Sequence, residues 1–83
     1  MSTYAVQLLP SAVRAFKKLP TEAKRRVQAA IDLLADDPRP PAAKKLVARP
    51  EWRVRTGDYW ILYRIDDRVL VVVDVGHRRD IYR

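Results

Sequence analysis

The chain has 83 residues, with 17 lysines and arginines against 10 acidic residues, a net charge of +7 and a pI near 10.3. That length leaves room for one core and not two, and the absence of cysteine excludes disulfide frameworks and cysteine-based metal sites. A pI above ~9 on so small a domain is the electrostatic footprint of a nucleic-acid binder, though it also suits an anionic membrane surface or an acidic protein.

The N-terminal Met1-Ser2-Thr3-Tyr4 has neither the basic nor the apolar region of a signal peptide, so a cytoplasmic location is expected. Tyr4 to Leu9 is a short β-compatible apolar run closed by Pro10 and predicts a first strand. Ser11 is placed to cap a short helix whose apolar face is Ala12, Val13, Phe16 and Leu19, and Pro20 ends it. Thr21 is placed as a second cap, with Glu22 near the positive end of the helix dipole. Ala23, Val27, Ala30, Ile31 and Leu34 follow at helical spacing, which predicts a helix from Thr21 to about Ala35. Its outer face carries Lys24, Arg25, Gln28 and Asp32, and the cluster Lys24, Arg25, Arg26 reads as a solvated face or an extra patch for a large RNA. The two helices should form a hairpin with both apolar faces turned to one sheet.

Three prolines in four residues, Pro38 to Pro41, stop the helix. Ala43 to Val47 is compatible with a helical turn. Beyond Pro50 the period changes. Glu51 to Arg55, Tyr59 to Ile65 and Val69 to Val75 are β-branched and aromatic, and Thr56-Gly57-Asp58 and Asp66-Asp67-Arg68 between them are turn sequences. This predicts an antiparallel meander. The fold class is therefore α+β: an N-terminal strand and a two-helix hairpin on one face of an antiparallel sheet. Val69 to Val73, the longest apolar run, is far too short to span a bilayer, so no membrane role is expected.

Strand alternation divides the meander into two faces. Trp52 and Val54 should lie beneath the helices, leaving Arg53 and Arg55 on the other side, about 7 Å apart as i and i+2 on a strand. That is close to the spacing of successive phosphates, so the pair can clamp a nucleic-acid backbone. Ile61, Tyr63 and Ile65 form a core set, with Trp60, Leu62 and Arg64 opposite them. In the last strand Val69, Val71, Val73 and Val75 alternate with Leu70, Val72 and Asp74. Both of its faces are largely apolar, so it should be central. It runs into Gly76-His77-Arg78-Arg79-Asp80-Ile81-Tyr82-Arg83.

The run Trp52-Arg53-Val54-Arg55-Thr56-Gly57-Asp58-Tyr59-Trp60-Ile61-Leu62-Tyr63-Arg64-Ile65-Asp66, then Val75-Gly76-His77-Arg78-Arg79-Asp80-Ile81-Tyr82, resembles the RelE/ParE superfamily of bacterial toxins. With the helical hairpin before it, the resemblance covers nearly the whole chain, so residues 1–83 are expected to form one RelE/ParE-like toxin domain. The resemblance implies the toxin of a toxin–antitoxin pair, neutralised by an acidic, partly disordered antitoxin of the RelB or Phd/YefM kind. RelE-like members are ribosome-dependent endoribonucleases that cut mRNA without metal or other cofactor. In them the RNA's own 2′-hydroxyl attacks the adjacent phosphate and leaves a 2′,3′-cyclic phosphate. ParE-like members share the fold and inhibit DNA gyrase instead. A third reading is a degenerate toxin that only binds its antitoxin and RNA.

Carried over by position, Arg53 and Arg55 match a pair of lysines in RelE enzymes, Arg78 matches the arginine two residues after the glycine, and Tyr82 the tyrosine near the C-terminus. One position departs from the pattern. The arginine that commonly holds the scissile phosphate is here Trp60. Arginines stay charged, so Arg53, Arg55 and Arg78 are expected to stabilise a phosphorane and not to move protons. Proton transfer then falls to Tyr82 or to His77, the only histidine, whose unperturbed pKa near ~6.5 suits a shuttle. Tyr82 has a second reading as a base-stacking group, and Trp60 as either a stacking platform or a packing residue. The expected catalytic set is thus Arg53, Arg55, Arg78, Tyr82 and His77. Arg53, Arg55, Trp60, Arg64 and Arg79 are the expected RNA contacts.

Overall fold

Pro10 decides where the first strand becomes the first helix. In a computed structural model, which describes residues 4–81, β1 covers Ala5–Leu8 and α1 covers Pro10–Lys17. Proline suits the opening position because the N–H it lacks would have no helical partner there, and its φ is already fixed near the helical value. Leu9 is therefore the cap, and Ser11 lies inside the first turn instead of capping it. The Ser11 hydroxyl donates at 2.7 Å to the Val73 carbonyl and so ties the helix to the sheet.

Proline displaces the expected cap at the second helix as well. α2 covers Thr21–Asp36 with Pro20 as its cap, and Thr21 is its first helical residue without a side-chain capping bond. The apolar stripe falls where its spacing predicts. Ala23, Val27, Ile31 and Leu34 are buried, and Val27, Ile31 and Leu34 share one core cluster with Ala12 of α1.

The remaining elements are β2 (Lys44–Lys45), β3 (Trp52–Thr56), β4 (Tyr59–Asp66), β5 (Val69–His77) and α3 (Arg78–Ile81). The five strands form one sheet in the order β1-β5-β4-β3-β2, with α1 and α2 packed on it. The expected meander is present as β3, β4 and β5, all antiparallel; β4 is the middle strand, and β5, expected to be central, is an interior strand between β1 and β4, which suits its two apolar faces. β1 joins β5 in parallel, Ala5 opposite Val69 and Leu8 opposite Val72.

Two expectations fail here for identifiable reasons. The segment from Ala43 to Val47 is no helical turn: Lys44 and Lys45 form β2, pairing with Arg53 and Trp52 of β3. Pairing there satisfies backbone groups that the edge of β3 would otherwise leave to solvent. The second concerns the single alternation expected along β5. Leu62 lies opposite Asp74 but Tyr63 lies opposite Val72, so Val73 is an extra residue in β5. This bulge resets the phase, and Leu70, Val72 and Val75 all reach the helix-side core beside Ile61 and Tyr63.

Tyr63 anchors the loop after α2. Its hydroxyl donates at 2.7 Å to the Pro38 carbonyl, and burial pushes the phenol up to about 12, against a smaller lowering by Arg39. Arg39 also sits over the Trp52 ring, 5.9 Å from its centroid. No described helix is long and apolar enough to cross a membrane.

Candidate nucleic-acid interface

Register fixes which residues share the face turned away from α1 and α2. Arg53 lies opposite Leu62 and Arg55 opposite Trp60; Trp60 and Leu62 in turn lie opposite Gly76 and Asp74. Directly paired residues project from the same side of a sheet. Arg53, Arg55, Trp60, Leu62, Arg64 and Asp74 thus belong to one face. Val54, Ile61, Tyr63, Val72 and Val75 belong to the helix-side core.

Arg53 and Trp60 form a stack. The guanidinium lies 4.4 Å from the centroid of the indole, within the range where the ring quadrupole attracts a cation. Trp60 is only 9% exposed, so its face is not open as the stacking platform that the sequence allowed. It packs, and what it supports is Arg53.

Arg55 and Arg78 converge on the turn between β3 and β4. The Arg55 Nε donates at 2.8 Å to the Gly57 carbonyl, and its Nη2 lies 3.9 Å from Asp58 Oδ1. Arg78, the first residue of α3, donates its backbone N–H at 2.7 Å to the Asp58 carbonyl and brings its Nε to 3.8 Å from the same Oδ1. Two guanidinium groups from different elements therefore share one carboxylate oxygen. Both side chains are about half exposed, and Asp58 is 60% exposed.

Gly57 is what makes this turn tight. Its φ is +61°, in the left-handed region that glycine enters without steric cost. A Cβ at this position would lie 3.2 Å from Cδ and from Nη1 of Arg26, which reaches over from α2. Arg26 thereby joins the same end of the molecule, beside an open groove of about 320 Å³ that Glu22, Gly57, Asp58 and Tyr59 also line. Sequence patterning treats Arg26 as one of three solvated helix cations. Only the approach of α2 to the Gly57 turn distinguishes it.

The structure separates the other candidates from this cluster. His77 lies opposite Tyr59, with the two rings edge to face at 5.3 Å, and lines a groove with Ala15 and Leu19 of α1. It is on the helix side of the sheet, not on the arginine face. Its Nδ1 accepts the backbone N–H of Arg79 at 3.2 Å, so in the neutral ring the proton sits on Nε2. Arg64 shares the face of Arg53 but lies at the far end of β4. There its Nε donates at 2.8 Å to Asp66 Oδ2, and this bond raises its pKa further. The Arg79 side chain is exposed, one residue beyond Arg78. Tyr82 lies outside the described residues.

The family model of the ParE toxin of type II toxin–antitoxin systems matches residues 6–82. The chain is similar to the toxin–antitoxin complex RelBE2 of Mycobacterium tuberculosis, with 32% identity, TM-score 0.84, and 96% of this chain and 97% of that chain covered. It is similar to the archaeal RelE–RelB complex of Pyrococcus horikoshii, with 28% identity, TM-score 0.80, and 94% and 98% covered. The isolated RelE toxin of E. coli shares the fold at 21% identity, TM-score 0.78, with 95% and 90% covered. No curated protein sequence matches the chain.

Proposed function

Because the chain belongs to the ParE toxin family, within the RelE/ParE superfamily of type II toxin–antitoxin toxins, we propose that it is a RelE-type endoribonuclease that cleaves mRNA on the ribosome. A cognate antitoxin of the RelB kind holds it in check, as the RelB–RelE complexes among its structural relatives suggest. The observation that carries this reading is the convergence of Arg55 and Arg78 beside the Arg53–Trp60 stack.

The chemistry uses what arginines do well. The 2′-hydroxyl of one nucleotide attacks the adjacent phosphorus, the bond to the 5′-oxygen of the next nucleotide breaks, and a 2′,3′-cyclic phosphate and a 5′-hydroxyl result. Charge builds on the phosphorane oxygens, and Arg53, Arg55 and Arg78 hold it through fixed guanidinium donors. Arg79 adds a backbone contact at the rim. None of these groups gives up a proton at neutral pH. Tyr82 is assigned the proton taken from the 2′-hydroxyl, and solvent water supplies the proton that the departing 5′-oxygen takes up. His77, turned to the helix side beside Tyr59, is left out of the set.

The decisive measurement maps mRNA 5′ ends by primer extension after expression of the protein. New ends within coding sequence are expected; intact transcripts in growth-arrested cells would exclude a nuclease.

One observation favours the ParE-like alternative, a protein that inhibits DNA gyrase without chemistry. The position commonly held by a phosphate-binding arginine is Trp60, and it is buried under Arg53. A supercoiling assay separates the two, since loss of gyrase activity at near-stoichiometric protein is expected only of the inhibitor.

A further inference from the structure

Asp58 is the acidic side chain at the point where two arginines meet, and its carboxylate is not what holds that point together. The turn is fixed by backbone acceptors: Arg78 N–H to the Asp58 carbonyl at 2.7 Å, and Arg55 Nε to the Gly57 carbonyl at 2.8 Å. The carboxylate oxygen stands 3.8 Å from Arg78 Nε and 3.9 Å from Arg55 Nη2. Charge-assisted hydrogen bonds run to about 2.7–2.9 Å, so both contacts are electrostatic and leave guanidinium donors unspent. The other turn of the meander shows a committed pair: Arg64 Nε meets Asp66 Oδ2 at 2.8 Å. Asp58 is thus an anion held at arm's length between two cations, half out in solvent.

We propose that the Asp58 carboxylate stands in for a substrate phosphate, occupying the anion position between Arg55 and Arg78 until an RNA backbone displaces it. The inference rests on the reading of this face as an RNA site. It assigns Asp58 a role in setting phosphate affinity, distinct from the arginines that supply that affinity. With the carboxylate present, a single phosphate must compete with an internal anion. A polynucleotide that also engages Arg53 does so at an advantage.

The test uses the full chain and a short, labelled 2′-O-methyl oligoribonucleotide, which lacks the attacking hydroxyl and cannot be cut. Binding is followed by fluorescence anisotropy across a salt series. Asp58→Asn keeps the side-chain shape and the backbone carbonyl. It should tighten binding by about fivefold at low salt, the size expected for one exposed unit charge near 4 Å. The log–log salt slope should steepen by about 0.7, one more phosphate neutralised on a single strand. Asp66→Asn removes the same formal charge from the other turn and should change affinity by less than about twofold, because Asp66 stands at the far end of β4, roughly 20 Å from the β3–β4 turn and beyond a Debye length.

Unchanged or weaker binding by Asp58→Asn overturns the proposal, and an equal gain from Asp66→Asn overturns it as a mere net-charge effect. A larger gain for an acidic peptide than for the oligonucleotide would reassign the position to a protein partner. Unfolding of both Asp58→Asn and Asp58→Ser would make the carboxylate a structural group and overturn it likewise. Failure of wild type and variant alike to bind the oligonucleotide would remove the RNA reading too, whereas binding without a gain removes only the stand-in.

Discussion

The two turns of the meander are built from the same materials and do different things with them. Each has a residue in the left-handed region, Gly57 at φ +61° and Asp67 at φ +55°, and each sets arginines beside aspartates. At the β4–β5 turn one arginine meets one aspartate at 2.8 Å, and the pair is closed. At the β3–β4 turn two arginines share one aspartate at 3.8 and 3.9 Å, and a third, Arg26, leans over the glycine. Count and separation, not residue type, make one turn a spent ion pair and the other an unsatisfied cationic site.

The strongest attempt to break that comparison is to remove one arginine from each turn. Arg78→Ala or Arg55→Ala should lower the rate of ribosome-bound mRNA cleavage by about 10²–10³-fold, the usual loss when one donor to a developing charge is deleted. Arg64→Ala should lower it by about twofold or less. Equal losses at both turns, read from cleavage time courses, would erase the distinction.

Backbone conformation gives the next largest effect. Gly57→Ala forces a Cβ into the left-handed region, costing about 1–2 kcal/mol, and brings it to 3.2 Å from the Arg26 side chain. A fall in Tm of roughly 4–8 °C per kcal/mol is expected for a chain of this size. At the other turn Asp67→Gly relieves a strained φ and should leave Tm unchanged or raise it. Calorimetry or a circular dichroism melt of both variants checks this.

Tyr63 supplies a control remote from both turns. Tyr63→Phe removes the donor to the Pro38 carbonyl and should destabilise by about 1–2 kcal/mol, with RNA affinity per folded molecule unaltered. Its raised pKa also sets an alkaline limit. The unfolded phenol loses its proton near 10 while the folded one holds it to about 12. The stabilisation is thus complete below pH 10 and is lost as pH rises from 10 to 12. Tyr63→Phe should flatten the fall in Tm across that window. The smallest effect belongs to Asp66→Asn, for which no measurable change in Tm is expected because the Asp66 side chain is about half exposed and its pair with Arg64 lies at the surface.

Much of the fold can be read from local pattern. The α2 stripe and the three-strand meander follow from periods of 3.6 and 2, and the Arg53/Val54 alternation places one on each side of β3. The misreadings lie where two signals compete or where the deciding contact is distant in sequence. Pro10 and Pro20 outrank Ser11 and Thr21 at the helix starts because they fix φ, while the hydroxyls only offer a bond. The extra residue at Val73 is invisible in the run Val71-Val72-Val73, since alternation cannot lose phase visibly when both phases are apolar. The same applies to the site. Arg55 and Asp58 are neighbours in the chain, but Arg78 reaches Asp58 from 20 positions away and Arg26 reaches Gly57 from another element. Trp60 looks available on its strand face until Arg53 is seen to roof it, and His77 parts from Arg78 because α3 begins between them.

The parallel pairing of β1 with β5 has a consequence for timing. Ala5 finds its neighbour only in Val69, and the helix hairpin between them has no finished sheet to lie on until β5 is in place. Synthesis runs from the N-terminus, so β1 (Ala5–Leu8) waits until β5 (Val69–His77) has been made before it can dock. The arginine cluster is later still, because Arg78 follows β5. A ribosome making this protein therefore completes all five of these strands before the nascent chain can assemble the site.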